Sequence, residues 1–394
     1  MNNRERIVWY IDTFRQSTDG IITALTDSIF MLVAIQYFAV SDFWKGLIAS
    51  SRFLGYFISA PLTGMLGHSL FNRSKILFTL TMVAALSLAL GSFIQSGIIY
   101  ALAVTLCSAA CHLRQPFFTD LYGEFYSRDS GARRISLGLR LNLLITLGAG
   151  LGFGTLLNIN LSWWRFLTLG GSAALAASGL FLLRLPESVP LPSPVSRIQA
   201  MVRPFRNRRF LYIQLAWMLV GFANLWAMPM RAVYLAEHER GLGLSPFMVT
   251  LVLVVIPVSM QFLFNGVWSV LYHKLSFPAM RISINFFFAV SIPLFFLGNS
   301  LPLIIISAAL LGMGLSGSPY IWQLWVTRIA AQQDIRFYQS SHAFLTGIRG
   351  LAAPFIGFAV LRELSFQHIG FISAALALSA SLMMLPLFHR DRIF

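Results

Sequence analysis

Apolar residues run along this chain in long blocks separated by short polar stretches, from one end to the other. A helix needs about 20 apolar residues to cross roughly 30 Å of hydrocarbon. The blocks predict twelve such helices, near 17–39, 45–66, 76–95, 98–121, 135–157, 163–183, 210–235, 246–271, 280–298, 301–326, 339–361 and 367–388. They are too continuous for the alternating pattern of a transmembrane strand, and lipid obliges each segment to satisfy its own backbone hydrogen bonds. The expected fold class is an all-α polytopic membrane protein with twelve transmembrane helices.

One polar connection is long. It spans 184–209, with LPESVPLPSPVSR followed by a basic cluster. Its prolines resist helix and its arginines favour the cytoplasmic side, so it reads as a linker between two six-helix halves, 1–183 and 210–394. Span four and span ten support a repeat. At an offset of 208, Ser108, His112, Gln115 and Thr119 fall opposite Ser316, Tyr320, Gln323 and Thr327. Steps of four, three and four place each set on one helix face, which would be costly against lipid. The two stripes are therefore expected to face one cavity. GLGFGTLL from Gly150 in span five also resembles PFIGFAVL from Pro354 in span eleven. Together these predict two pseudo-symmetric bundles.

Composition agrees. The 394 residues are 57% hydrophobic and 11% charged, with a mean hydropathy of +0.72, which excludes an ordinary water-soluble domain. A net charge of +15 would suggest nucleic acid in a soluble protein. Here twenty of the 29 basic residues, Arg15 and Arg281 among them, fall in predicted inner loops and tails, whereas only Lys45, Arg165, Arg240 and Arg362 fall outside. That asymmetry predicts both termini in the cytoplasm of a bacterial inner membrane and gives no reason to expect nucleic acid. The start, MNNRERIVWYIDTFRQ, lacks the short apolar core and cleavage site of a removable signal peptide. Cys107 and Cys111 share one helix face and are not placed to staple distant segments.

With twelve spans, both ends inside, a basic middle loop and two similar halves, the chain resembles the major facilitator superfamily over nearly its whole length. The family's signature between spans two and three reads Gly-x-Leu-x-Asp, then basic residues and a glycine. In TGMLGHSLFNRSK, Gly64 and Leu66 match and Arg73 keeps a basic residue, while His68 replaces the aspartate and Phe71 the glycine. The resemblance implies a gating loop of Gly64, His68 and Arg73, with Asp120 or Glu124 at the inner end of span four as partner to Arg73. NGVWSVLYHKLSF, with Gly266, His273 and Lys274, is the equivalent loop of the second half. In span five Gly148 and Gly152 match an antiporter pattern, but Phe153 replaces its proline, which leaves direction open; close helix packing is the expected role of these glycines.

Charged groups deep in a bilayer cost at least about 2.5 to 3.5 kcal/mol each, so those present are candidates for a pathway. Asp27 reads as the only deep carboxylate, and Arg52, Arg114, Arg140, Arg231 and Arg349 as the intramembrane bases. In the resembling family, spans one, four, seven and ten line the cavity, which singles out Asp27, Arg114 and Arg231, with Asn224 as the counterpart of Asp27. Two readings of Asp27 stay open: a proton carrier, or a fixed neutralising partner of Arg114 or Arg52. The excess of bases favours an anionic solute held by guanidinium forks. Against it, Arg140 would snorkel and Arg349 would satisfy carbonyls near glycines. His112 is a solute ligand or proton relay, or a histidine hydrogen-bonded within the bundle. Tyr320, Trp322, Trp325, Trp217 and Trp226 supply aromatic surface for the cavity or for packing.

The expected substrate-binding or coupling set is Asp27, Arg52, Ser108, His112, Arg114, Gln115, Asn224, Arg231, Ser316, Tyr320, Gln323 and Arg349. No metal-ligand spacing, catalytic cluster or cofactor motif appears; GLGFG has neither a preceding strand nor a following lysine. The expected function is secondary active transport of a small, anionic solute by alternating access, coupled to protons. A proton-driven exporter of drugs or amphipathic compounds, and a non-transporting scaffold on the same fold, are the alternatives.

Overall fold

Asn72, Ser96, Asn207, Ser245 and Ser276 each stand just ahead of a helix and accept a hydrogen bond from a backbone N–H of its first turn. Such caps satisfy donors that an apolar environment leaves stranded. The computed structural model describes residues 3–66, 72–126, 128–186, 202–298, 300–326, 329–330 and 334–390. Among these the chain forms twelve helical rods.

Rod α1 runs as Asn3–Ala24, a π-turn Leu25–Ile29 and Phe30–Gln36. It is followed by α2 (Asp42–Leu66), α3 (Arg73–Phe93) and α4, which is Gly97–Leu113 continued past Arg114 as Gln115–Phe125. Then come α5 (Arg128–Ile159), α6 (Trp164–Leu182) and α7 (Arg208–Ala236). Rod α8 is Pro246–Thr250, a π-turn Leu251–Val255 and Ile256–Lys274. Rods α9 (Phe277–Leu297), α10 (Leu301–Leu324), α11 (Ile335–Leu361) and α12 (Phe366–Leu382) complete the set. Ten of the described helices are long and apolar enough to cross a membrane, and Phe366–Leu382 is a shorter apolar one. Large apolar side chains such as Leu86, Leu90 and Phe93 on α3 and Phe286 on α9 point outward, as lipid-facing surfaces require. The protein is an integral membrane protein.

The first rod differs from its sequence reading. The predicted span starts at 17, but α1 is helical from Asn3, because Asp12, Arg15 and Asp19 neutralise one another along one face. Charge cancelled locally no longer ends a helix, although a hydropathy window counts each charge separately. The fourth span is also not continuous. Pro116 has no N–H to give to the His112 carbonyl, and the rod breaks at Arg114, whose own N–H takes that carbonyl instead.

The described residues up to 186, together with Leu244–Val254, form one compact unit, and those of 202–243 and from 255 onward form a second. Within the first, α1 packs on α5, α2 on α4, and α3 on both α4 and α6. Within the second, α7 packs on α11, α8 on α10, and α9 on both α10 and α12. Advancing each label by six converts one pattern into the other, which is the mark of two pseudo-symmetric six-helix bundles.

The segment assigned to the first unit includes the opening turns of α8. There Ser28 and Thr250 place their hydroxyl oxygens 3.3 Å apart, and Gln36 Nε2 donates to the Leu244 carbonyl at 2.9 Å. A Cβ on Gly154 would lie 3.0 Å from Cβ of Thr250. Gly148 and Gly152 correct the expectation of close packing in span five, since a Cβ at either would meet nothing within 4 Å. Close approach is set elsewhere. On α2 a Cβ at Gly55 would come 2.5 Å from the Ala109 carbonyl oxygen of α4.

This contrast predicts opposite outcomes. Gly55→Ala forces the backbones of α2 and α4 apart and is expected to cost about 1 to 3 kcal/mol, the range for overpacking. Gly148→Ala removes unfolded-state freedom without a clash and is expected to be neutral or slightly stabilising. Thermal unfolding of the purified protein in detergent separates the two.

Candidate functional site

The first unit assembles its charges on α1. Asp12, Arg15 and Asp19 are spaced by three and four residues, so they share a face. Arg15 donates to Asp12 at 2.7 Å and to Asp19 at 2.5 Å. Arg114, at the break of α4, reaches Asp19 at 2.9 Å, Thr81 Oγ1 of α3 at 3.0 Å and the Cys111 carbonyl at 3.3 Å. Tyr122 accepts from Arg15 at 2.8 Å and donates to Asp12 at 2.9 Å. The Phe118 ring lies 3.9 Å below the Arg15 guanidinium. Arg15 and Arg114 are both buried. Two cations meet two carboxylates, and the cluster is electrically balanced.

Sequence reasoning missed this cluster. The sequence pattern places Arg15 in an inner tail and makes Asp27 the only deep acid. Asp19 corrects both, and Arg114 pairs with it rather than with Asp27. The i, i+3, i+7 spacing of Asp12, Arg15 and Asp19 was the available signal.

Asp27 sits in the π-turn of α1, where Phe30 N–H bonds to the Leu25 carbonyl five residues back. Such insertions are frequent at functional sites because they re-aim a side chain. Asp27 accepts from Arg52 of α2 at 2.5 Å, and the two side chains stay 30% and 22% exposed. Partial exposure separates this pair from the buried Asp19 clamp. One turn beyond Arg52, Tyr56 packs edge-on against His112 with ring centroids 5.4 Å apart. His112 Nδ1 lies 2.8 Å from the Ser108 carbonyl oxygen, and Ser108 itself is buried with no partner for its hydroxyl among the described residues. Gln115 is exposed beyond the α4 break, so the predicted stripe bends there.

The loop residues divide. Arg73 reaches Glu124 at 2.8 Å. Gly64 falls within α2; His68 lies outside the described residues, as do the side chains of Asp120, Tyr320 and Gln323. Most of the predicted linker, 187–201, lies outside them too.

In the second unit α7, α9, α10 and α11 bring together a different cluster around Trp217. Arg281 stacks its guanidinium 3.6 Å from the Trp217 ring centroid. Arg349 donates to the Trp217 carbonyl. His342 Nδ1 lies 2.7 Å from Gln214 Oε1, and its ring is 4.8 Å from Trp217, 4.2 Å from Trp322 and 5.2 Å from Trp325. Arg281 corrects a second assignment: expected in an inner loop, it is buried in the first turns of α9, where the indole face shelters its charge. Of the remaining expected residues, Arg231 is buried with its guanidinium 5.8 Å from the Phe295 ring centroid. Asn224 Oδ1 has no partner among the described residues, Ser316 donates to the Met313 carbonyl at 2.7 Å, and Arg140 is exposed.

Asp19 is the testable hinge of the first cluster. Asp19→Ala leaves Arg15 and Arg114 short of one counter-charge and is expected to destabilise by about 3 to 5 kcal/mol, the cost of breaking a buried pair. Asp27→Ala removes a half-exposed partner and is expected to cost less than about 1 kcal/mol. Unfolding midpoints of the two variants, measured side by side, check the order.

No protein-family model matches the chain, and no curated protein matches it. Solved structures do. The chain is similar to the nucleoside transporter NupG at 12% identity, covering 98% of this chain and 99% of that one with a TM-score of 0.75. It is similar to the human organic anion transporter MFSD10 (TETRAN) at 15% identity, with 97% and 100% covered and a TM-score of 0.68. A variant of the E. coli fucose:proton symporter FucP matches at 16% identity, with 97% and 98% covered and a TM-score of 0.66. At such identities the likeness is one of architecture, and it extends across nearly the whole of every chain compared. With twelve rods, a pairing pattern repeated after six, and this end-to-end correspondence, the chain has the fold of the major facilitator superfamily.

Proposed function

We propose that the protein is a secondary active transporter that moves a small solute across the bacterial cytoplasmic membrane by alternating access, with protons as the coupling ion. The observation that carries this reading is the Asp27–Arg52 pair. It joins a carboxylate in the π-turn of α1 to a guanidinium of α2 and keeps about a quarter of each side chain accessible. A carboxylate so placed can exchange its guanidinium partner for a proton, which converts proton occupancy into a change in local contacts.

The whole-chain likeness to proteins described as transporters supports the reading, and two of the matched structures carry the words proton symporter in their names. The Asp12–Arg15–Asp19–Arg114 cluster has a different task. Asp12, Arg15 and Arg114 are buried, and the four charges are mutually satisfied, which suits a fixed strut. His112 and Ser108 extend the Asp27 site along α4, and Asn224, Arg231, Ser316, Tyr320 and Gln323 are the residues of the second half that we assign to solute contact. The halves are 1–183 and 210–394, joined by 184–209. The distribution of basic residues supports termini on the cytoplasmic side.

The experiment pairs ligand discovery with flux. A metabolite panel that includes nucleosides, sugars and organic anions is screened for thermal stabilisation, since a ligand of the folded state raises the unfolding midpoint by mass action. Hits are then tested for uptake into liposomes under an imposed pH gradient. Wild type is expected to accumulate the solute. Asp27→Asn is expected to lose accumulation above the level reached without a gradient, while still exchanging labelled for unlabelled solute. Accumulation undiminished in Asp27→Asn would remove the coupling role, and the absence of flux for every stabilising ligand would remove the transport reading.

A further inference from the structure

The two units treat buried charge differently. In the first, Arg15 and Arg114 are matched by Asp12 and Asp19. In the second, Arg281 and Arg349 are 4% and 6% exposed, and no carboxylate among the described residues pairs with either. The described acids of that unit are engaged elsewhere or exposed: Glu237 holds Arg240, Asp334 holds Arg203, and Glu239 and Glu363 lie at the surface.

Arginine keeps its proton in proteins, so two buried guanidinium groups mean two buried charges. An aromatic face and a peptide carbonyl ease the cost of burial without cancelling charge. Arg281 has the Trp217 ring and Arg349 has the Trp217 carbonyl. Both guanidinium groups lie against one residue, Arg281 on the Trp217 ring and Arg349 on the Trp217 carbonyl, so the cluster brings two like charges together instead of separating them.

Unsatisfied polar atoms mark the same place. Arg349 Nε, His342 Nε2, Thr346 Oγ1 and both side-chain polar atoms of Asn285 are buried with no hydrogen-bond partner among the described residues. Asn285 lies one turn after Arg281 on α9, and Thr346 lies between His342 and Arg349 on α11, so each shares a face with a member of the cluster. Buried polar groups in folded proteins are almost always paired, so unpaired donors beside uncompensated positive charge point to a ligand. Arg349 Nε, Asn285 Nδ2 and Thr346 Oγ1 are donors, which a compact anion with acceptor oxygens would suit.

We propose that the Trp217-centred cluster binds a small oxyanion, a carboxylate or phosphate group, through Arg281 and Arg349, with Asn285 and Thr346 as neutral donors. The site lies within the second unit, does not include Asp27 or Arg52, and requires no transport to be observed. Its ligand chemistry is shared by free anions and by the phosphate of an anionic lipid, and the test separates these sources.

Full-length protein is purified in detergent without phosphate or carboxylate buffers. Its unfolding midpoint is followed against inorganic phosphate and against acetate, with chloride replacing them at constant ionic strength, and calorimetric titration gives the affinities. A parallel arm adds phosphatidylglycerol or the zwitterionic phosphatidylcholine. Wild type is expected to show a saturable rise with phosphate or acetate and none with chloride. Arg281→Met and Arg349→Met are expected to bind about 10- to 100-fold more weakly, the worth of one charge-assisted hydrogen bond. In anion-free buffer the same variants are expected to unfold no earlier than wild type, because each removes an uncompensated buried charge.

Gly221→Ala is the second variant. A Cβ there would fall on the Arg349 guanidinium, so the substitution displaces that group while keeping every charge, and it is expected to weaken anion binding as well. If phosphatidylglycerol stabilises wild type, and Arg281→Met abolishes that effect, the occupant is a headgroup phosphate at the proposed site. The proposal is overturned if no anion or anionic lipid stabilises wild type specifically. It is also overturned if the Arg→Met variants are equally destabilised with and without anion, which is how purely structural arginines behave.

Discussion

A charge taken into hydrocarbon must bring its counter-charge or find one there, and much of this structure follows from that constraint. Asp19 shows the first course. By taking one guanidinium from its own helix and one from the break in α4, it ties α1 to the point where Pro116 interrupts the fourth rod. The break frees backbone groups, and Arg114 spends its donors on the Cys111 carbonyl and on Thr81 of α3. Three rods are thereby fixed through one residue whose charge would be prohibitive if left alone.

Asp27 lies two turns along the same helix and behaves differently because its backbone does. The π-turn at Leu25–Ile29 inserts one residue into the helical register, and the carboxylate within it pairs with Arg52 of α2. Its partial exposure makes the pair cheaper to open than the buried clamp. A protein that has to hold its frame while changing contacts at one point needs both kinds of pair, a satisfied strut and a labile one. The proposed coupling role assigns these tasks to Asp19 and Asp27 respectively.

The second unit repeats the pairing of rods but not the balance of charge. Trp217 organises it, with its ring under Arg281, its carbonyl to Arg349 and its edge near His342. Gly221, one turn further along α7, leaves the room that Arg349 fills. The same topology thus supports a neutral cluster in one bundle and a cationic one in the other. Fold pseudo-symmetry constrains where helices pack and leaves the chemistry between them free.

The hydrophobic blocks by themselves determined the class of structure. Lipid demands whole helices of a set length, so a run of some twenty apolar residues has nearly one solution. The caps at Asn72, Asn207 and Ser276 are equally local, each needing only its own first turn. Span boundaries failed where charge was cancelled, as on α1, because cancellation depends on which side chains meet. The same reason hid the sites. Arg15 and Arg281 read as loop cations until packing showed one clasped by carboxylates and the other under an indole ring, and Gly148 and Gly152 read as packing glycines although a Cβ at either meets nothing within 4 Å. Only tertiary structure decided which of the buried charges are paired, since pairing is a property of distances between residues as far apart in sequence as Asp19 and Arg114.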